Sequence, residues 1–272
     1  MSKVIGILSI KGGVGKTSCT ANLGAAIASE FGKKVLVVDT NYSAPNLGFH
    51  VGVLEPEATI HDVLAGRTNI NDAIHHINDD FHIIPASLVG RDIQPFKLKG
   101  KLRDIKNNYD VILLDSSPNL NDEMLSTMVA SDELYVVTSP DYPTLSTTMR
   151  AIKLALDKKT HIKGLILNRV RGKKFELSIH EIEAAAGVPV IGVLPEDIKI
   201  LEALASTTTV SDHSPKANAS IEFKKLGAFL IGEEYKDPRL WHRFKRSFIS
   251  RNKEVSKEEI NKLLMKNKHE VF

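Results

Sequence analysis

Ser9-Ile10-Lys11-Gly12-Gly13-Val14-Gly15-Lys16-Thr17 lies between an apolar run, Val4-Ile5-Gly6-Ile7-Leu8, and an Ala-rich stretch of helical character. A strand, a glycine loop and a helix, in that order, are what a phosphate-binding loop requires. Gly12, Gly13 and Gly15 carry no Cβ, so successive backbone N–H groups can converge on phosphate oxygens. The following helix adds the positive end of its dipole. In this pattern Lys16 neutralises β- and γ-phosphates and the Thr17 hydroxyl coordinates Mg²⁺, with Val14 and Ser18 completing the cradle. The competing reading is a plain glycine-rich turn, which leaves Gly-Lys-Thr in this context without a reason.

Such a loop needs a rigid frame. Apolar runs recur along the chain: Val4–Leu8, Val35–Val38, Val111–Leu114, Leu134–Val137, Leu165–Leu167 and Val190–Leu194. They are continuous rather than alternating, as parallel strands covered on both faces are. Helical candidates lie between them: Ser18–Phe31, Asp122–Ala130, Leu145–Asp157 and Phe175–Ala186. The fold class expected is α/β, a single P-loop NTPase domain over residues 1–232, with a mostly parallel sheet flanked by helices. Phe81-His82-Ile83-Ile84-Pro85 reads as a weaker strand nearer an edge, and His75-His76 as surface residues on a helix. Residues 233–272 read as a separate helical C-terminal extension.

Composition narrows the classes. The chain has 272 residues, 42% of them hydrophobic and 25% charged, a profile that excludes low-complexity disorder. One cysteine, Cys19, excludes a disulfide framework and a thiolate metal site within one chain. No His-Glu-x-x-His spacing and no Gly-x-Ser-x-Gly elbow supports zinc-protease or serine-hydrolase chemistry. No apolar run approaches the roughly 20 residues of a spanning helix, and Met1-Ser2-Lys3 leads straight into a strand. A reducing cytoplasm is therefore the expected location.

Ile10 stands where the general pattern has its leading glycine, and Lys11 immediately precedes Gly12. The loop thereby resembles the deviant Walker A motif, Lys-Gly-Gly-x-Gly-Lys-Thr, of the ParA/MinD family of ATPases. The resemblance extends over most of residues 1–232 through Val38-Asp39, Pro45-Asn46-Leu47, Leu114-Asp115-Ser116-Ser117-Pro118, Asn168-Arg169 and Pro195-Glu196-Asp197. It implies an ATPase that takes ATP or ADP with Mg²⁺ and forms a homodimer on ATP. Lys11 would reach across that dimer to the partner's nucleotide; read without the resemblance, it is a solvated loop lysine beside phosphates. Asp115 would be the Walker B carboxylate, holding a water on Mg²⁺, and Thr17, Asp39 and Asp115 would form the metal set. Lys11, Lys16, Asp39 and Asn41 would form the catalytic set. Asn46 falls in switch I. Ser116–Asn119 falls in switch II, with Asn119 where MinD-like members usually have glycine; asparagine tolerates a left-handed turn. Asn168, Arg169, Pro195, Glu196 and Asp197 would contact adenine, and ordinary loop chemistry competes for Arg169 and Asp197.

Many members of that family carry Asp-x-Asp after the second strand, and the second aspartate helps position the attacking water. Here the segment reads Asp39-Thr40-Asn41. Asparagine can hydrogen-bond a water but cannot accept its proton. Phosphoryl transfer rests mainly on positioning and electrostatics, so the implied outcome is slow hydrolysis and a long-lived ATP state. Alternatively, another residue or a protein activator supplies the function, or the chain is a nucleotide-bound scaffold that hardly turns over.

The formal charge of +3 conceals an uneven distribution. Between Lys236 and Lys253, seven basic residues face one acid, Asp237, a local balance of +6 that leaves −3 for the remainder. Leu240, Trp241, Phe244 and Phe248 recur there at helical spacing, and Ser256 with Glu259 reads as a capping box for a last helix. A basic helix with aromatic anchors fits an anionic membrane surface. MinD proteins end in such a helix, although this one is followed by further residues. One copy binds weakly and an ATP-made dimer presents two, so the resemblance implies a cytoplasmic protein held reversibly at the cytoplasmic face of the membrane. Packing of the aromatic stripe on the parent domain competes with this, as does DNA binding of the ParA kind.

Overall fold

The computed structural model describes residues 2–89, 92–157, 160 and 162–239. Within them, β1 (Lys3–Leu8), β2 (Val35–Thr40), β3 (His75–His76), β4 (Phe81–Ile84), β5 (Val111–Ser116), β6 (Glu133–Thr138), β7 (Ile162–Val170) and β8 (Val190–Pro195) form one sheet. Its order is β3-β4-β2-β5-β1-β6-β7-β8. Each pairing is parallel except β3 with β4. The α/β expectation, with a mostly parallel sheet between helices, therefore holds.

The helices are α1 (Lys16–Phe31), α2 (Ile60–Leu64), α3 (Leu98–Arg103), α4 (Asp122–Ala130), α5 (Tyr142–Asp157), α6 (Ile179–Ala186), α7 (Ile198–Ala205), α8 (Val210–His213) and α9 (Asn218–Ile231). Successive strand residues point to opposite faces, and the core divides accordingly. Ile5, Ile7, Val37 and Leu113 pack against Leu23 and Ile27 of α1 and Phe223 and Leu226 of α9. On the other face Leu36, Val38 and Leu114 meet α2 and α3, while Leu134, Val136 and Leu165 meet α4, α5 and α6.

Two local readings are corrected. His75 and His76 are not helical: they pair with Ile83 and His82 as the antiparallel edge strand. The Asn78 side chain accepts from the N–H groups of Asp80 and Phe81, and Ile77 N–H donates to Phe81 O. That turn folds the histidines back onto β4, which places β4 one strand inside the edge. The Phe175–Ala186 helix begins only at Ile179, because Ser178 and Glu181 form a capping box there.

Doubly wound sheets place their sites beyond the carboxyl ends of the strands. Here β1 runs into the glycine loop, and Asp39 and Asp115 sit side by side at the ends of β2 and β5. After α9 the chain reverses at Gly232 (φ 74°) and stays on the domain. Lys33 pairs with Glu233 at 3.0 Å, the Tyr235 ring meets Phe31 edge-on, and Arg239 reaches Glu222. Leu240, Trp241, Phe244, Phe248, Ser256 and Glu259 lie outside the described residues. Among the described residues, no helix is long and apolar enough to cross a membrane.

Candidate functional site

The loop's shape depends on glycine where the backbone turns left-handed, at Gly13 (φ 80°) and Gly15 (φ 86°). A Cβ on Gly15 would lie 2.4 Å from Asn168 Nδ2, and that amide donates to Val14 O at 2.8 Å. Asn168 thus fixes the loop from β7. Gly12 and Gly13 face open space, where their N–H side can be approached. Lys11 to Ser18, Asn41, Asn46, His50, Pro118 and Arg169 line a pocket of about 230 Å³.

Beneath the loop, Lys16 Nζ is 2.8 Å from Asp115 Oδ1, and both side chains are buried. Thr17 Oγ1 donates to Asp115 Oδ2 at 2.7 Å, and Thr20 Oγ1 to Oδ1 at 3.1 Å. A buried pair of this kind balances desolvation against attraction, and moving the ammonium away would leave the Asp115 charge buried unless another cation met it. The hydroxyl and carboxylate oxygens of Thr17 and Asp115 are hard donors that fit Mg²⁺.

Asp39, beside Asp115 in the sheet, meets the loop that follows β2. Its Oδ1 accepts from Asn41 N–H at 3.0 Å, and its Oδ2 from Asn46 and Leu47 N–H at 3.1 Å each. The carboxylate therefore organises the 41–47 loop. Burial pushes Asp39 up to about 7, and the charge of Asp115 adds to the rise. Asn41 is bound at one end only: Nδ2 donates to Ala44 O at 2.5 Å, while Oδ1 is buried without a partner. The orphan acceptor belongs to a side chain lining the loop pocket.

Lys11 is held within its own chain, 2.7 Å from Thr144 Oγ1 and 3.4 Å from Asp141 Oδ1. Asn168 and Arg169 adjoin the loop, and Arg169 is left-handed (φ 58°). Pro195, Glu196 and Asp197 do not line the loop pocket. Glu196 pairs with Arg171, and Asp197 accepts from Lys199 N–H and Ala219 N–H. Asn119 needs no left-handed backbone; positive φ among the described non-glycine residues falls at Arg169 and Thr207.

Sequence reasoning passed over His50, Asp141 and Thr144. His50 lines the pocket from the 3₁₀ turn Leu47–His50, and burial lowers its pKa, against the opposing pull of Asp115. A lone histidine has no spacing to mark it. Asp141 and Thr144 stand 130 and 133 residues from Lys11, a separation that only the fold closes.

Residues 2–163 match the family model described as an AAA domain. The chain is 35% identical to an uncharacterized ATP-binding protein of Methanocaldococcus jannaschii over 92% of this chain and 95% of that one. The cell division ATPase MinD of Pyrococcus furiosus superposes with TM-score 0.79 and 32% identity, covering 85% of this chain and 98% of that structure. The septum site-determining protein MinD of Pyrococcus horikoshii, complexed with Mg-ADP, gives 0.78 and 32%, covering 85% and 96%. Glycine loop, sheet order and relatives agree: the chain belongs to the ParA/MinD family of P-loop nucleotide-binding ATPases.

Proposed function

We propose that this protein is a MinD-like switch that closes into a homodimer on ATP, hydrolyses it slowly, and cycles between the cytoplasm and an anionic membrane surface. The observation that carries the reading is the buried Lys16–Thr17–Asp115 cluster beneath the open glycine loop. The Mg-ADP complex of the Pyrococcus horikoshii relative supports the same ligand here. Lys16 would leave Asp115 for the β- and γ-phosphates while the loop N–H groups hold the remaining oxygens. Thr17 would bind Mg²⁺ directly and Asp115 through a water, and the ion would neutralise charge developing on the phosphoryl oxygens. Asn168 and Arg169 would border the base.

Asn41 Oδ1, unpartnered and buried, would accept a hydrogen bond from the attacking water. It cannot take the proton, so the step is positioned but not driven by a base, and the ATP state lasts. Lys11 would exchange Asp141 and Thr144 for the nucleotide of the partner subunit. The paired tails around Trp241, Phe244 and Phe248 would then hold lipid together, with avidity that one lacks.

ATP turnover and vesicle sedimentation of the full chain, at two anionic lipid contents and beside a DNA competitor, test this. The expected result is slow turnover with recruitment that needs both ATP and lipid charge. Recruitment indifferent to both overturns the membrane reading, and recruitment by DNA alone replaces it with a ParA-like partition role.

A further inference from the structure

A second cavity, of about 540 Å³, opens where β7, β8 and the start of α6 converge, away from Lys16 and Thr17. Its walls are apolar: Pro140, Leu167, Val170, Leu177, Ile179 and Val193. That volume is within the range of small-molecule and side-chain pockets.

Glu222 on α9 stands at its rim and is the residue that captures Arg239. Arg239 Nη2 donates to Glu222 Oε1 at 2.7 Å, Nη1 donates to Asn218 Oδ1 at 3.2 Å, and Nε donates to Asp237 Oδ1 at 2.9 Å. From Gly232 the chain has therefore run back from the end of α9 to its first turns. It arrives at the cavity mouth with Leu240 and Trp241 next in sequence. Two residues span up to about 7 Å, which keeps Trp241 in the neighbourhood of Arg239.

We propose that this cavity receives the segment beginning Leu240-Trp241, with Trp241 as its anchor, and so stores the tail on its own domain. A buried tryptophan removes roughly 150–250 Å² from water, which an apolar cavity of this size accommodates. Tethering two residues away gives this occupant an effective concentration that a free ligand or second chain lacks.

The storage site is coupled to the switch. Pro140 and Glu176 line both this cavity and the adjoining pocket that contains Lys11, Asp141 and Arg169. An event that reshapes the Lys11 face thus acts on a wall of the tail's resting place. Regulation in this form rests on the switch reading above; the docking itself does not.

Trp241 is the only tryptophan in the chain, so its fluorescence reports the docking directly. The full chain is measured without nucleotide or lipid, across a wide dilution range. Expected are blue-shifted emission and acrylamide quenching several-fold below that of free indole, independent of dilution. Val193→Glu and the milder Ile179→Ser should each return the emission to the solvent value, with circular dichroism confirming a folded domain. Solvent-like emission in the wild type, protection that appears only with vesicles or is lost on dilution, or protection that survives in a folded cavity variant would each overturn the docking. No ATP enters the measurement, so an inactive ATPase would leave the result standing, and an active one would not rescue it.

Discussion

Asn41→Asp separates what this residue does for the fold from what it does for hydrolysis. The amide works in opposite senses at its ends, donating to Ala44 O at 2.5 Å and leaving Oδ1 buried and unpartnered. Aspartate removes the donor, turns an acceptor toward Ala44 O, and adds a carboxylate near Asp39, already raised by burial and by Asp115. Ala44 is exposed, so water can take over its carbonyl, and the loss is that of one hydrogen bond, about 0.5–1.5 kcal/mol of ligand-free stability. For a domain of this size that lowers Tm by roughly 1–6 °C. Chemistry should move the other way. An aspartate at this position can take the water's proton, and general-base catalysis contributes about 10²–10⁴-fold. Because positioning carries most of phosphoryl transfer, the gain expected is at least about tenfold. Thermal melts give the first number, and single-turnover hydrolysis with protein in excess gives the second. An unchanged rate in a folded variant refutes the slow-switch argument, and an unchanged Tm refutes the account of the Asn41 amide.

Gly15→Ala must accept a left-handed alanine and displace Asn168, so it should cost about 2–4 kcal/mol and abolish detectable nucleotide binding by calorimetry; wild-type affinity would show that the loop relaxes. Asp141→Asn keeps the cap on Thr144 N–H but removes the charge beside Lys11, whose side chain is 40% exposed. Exposed pairs are worth up to about 1 kcal/mol and a homodimer breaks two of them, so ATP-dependent dimerisation should tighten no more than about thirtyfold by analytical ultracentrifugation, and weakening would contradict a restraining role for Asp141. Asp39 is raised from an unfolded value near 3.9 to about 7, so the folded state holds a proton that the unfolded chain has lost. The stability it confers is complete below about 3.9 and is lost as pH rises through about 7. Ligand-free wild type should therefore lose stability relative to Asp39→Asn from pH 5 to 7, by at most about 1.4 kcal/mol per pH unit, and level off above. A difference constant over that range in denaturant melts refutes the raised pKa.

The sheet was legible because parallel strands buried on both faces leave continuous apolar runs, and the loop because its glycines and Lys16 are adjacent in sequence. The two-residue strand His75–His76 left no such trace: it exists only through the Asn78 turn that folds it onto β4. Asp39 read as a metal or catalytic carboxylate from its place after β2. That its Oδ2 also accepts from the N–H groups of Asn46 and Leu47 could not be read, because they face it only once the 41–47 loop has closed. The partners of Lys11 were hidden for the same reason, since Thr144 meets it across 133 positions. Local chemistry was readable, and the contacts that restrain it were long-range.

The most direct test of the switch is the solution mass of the full chain by light scattering with Mg²⁺ and either ATP or ADP, for the wild type and Lys11→Ala. The expected result is a doubled mass for the wild type with ATP alone, and the monomer mass for Lys11→Ala with either nucleotide. Equal masses with ATP and ADP, or a Lys11→Ala variant that dimerises as the wild type does, would contradict it.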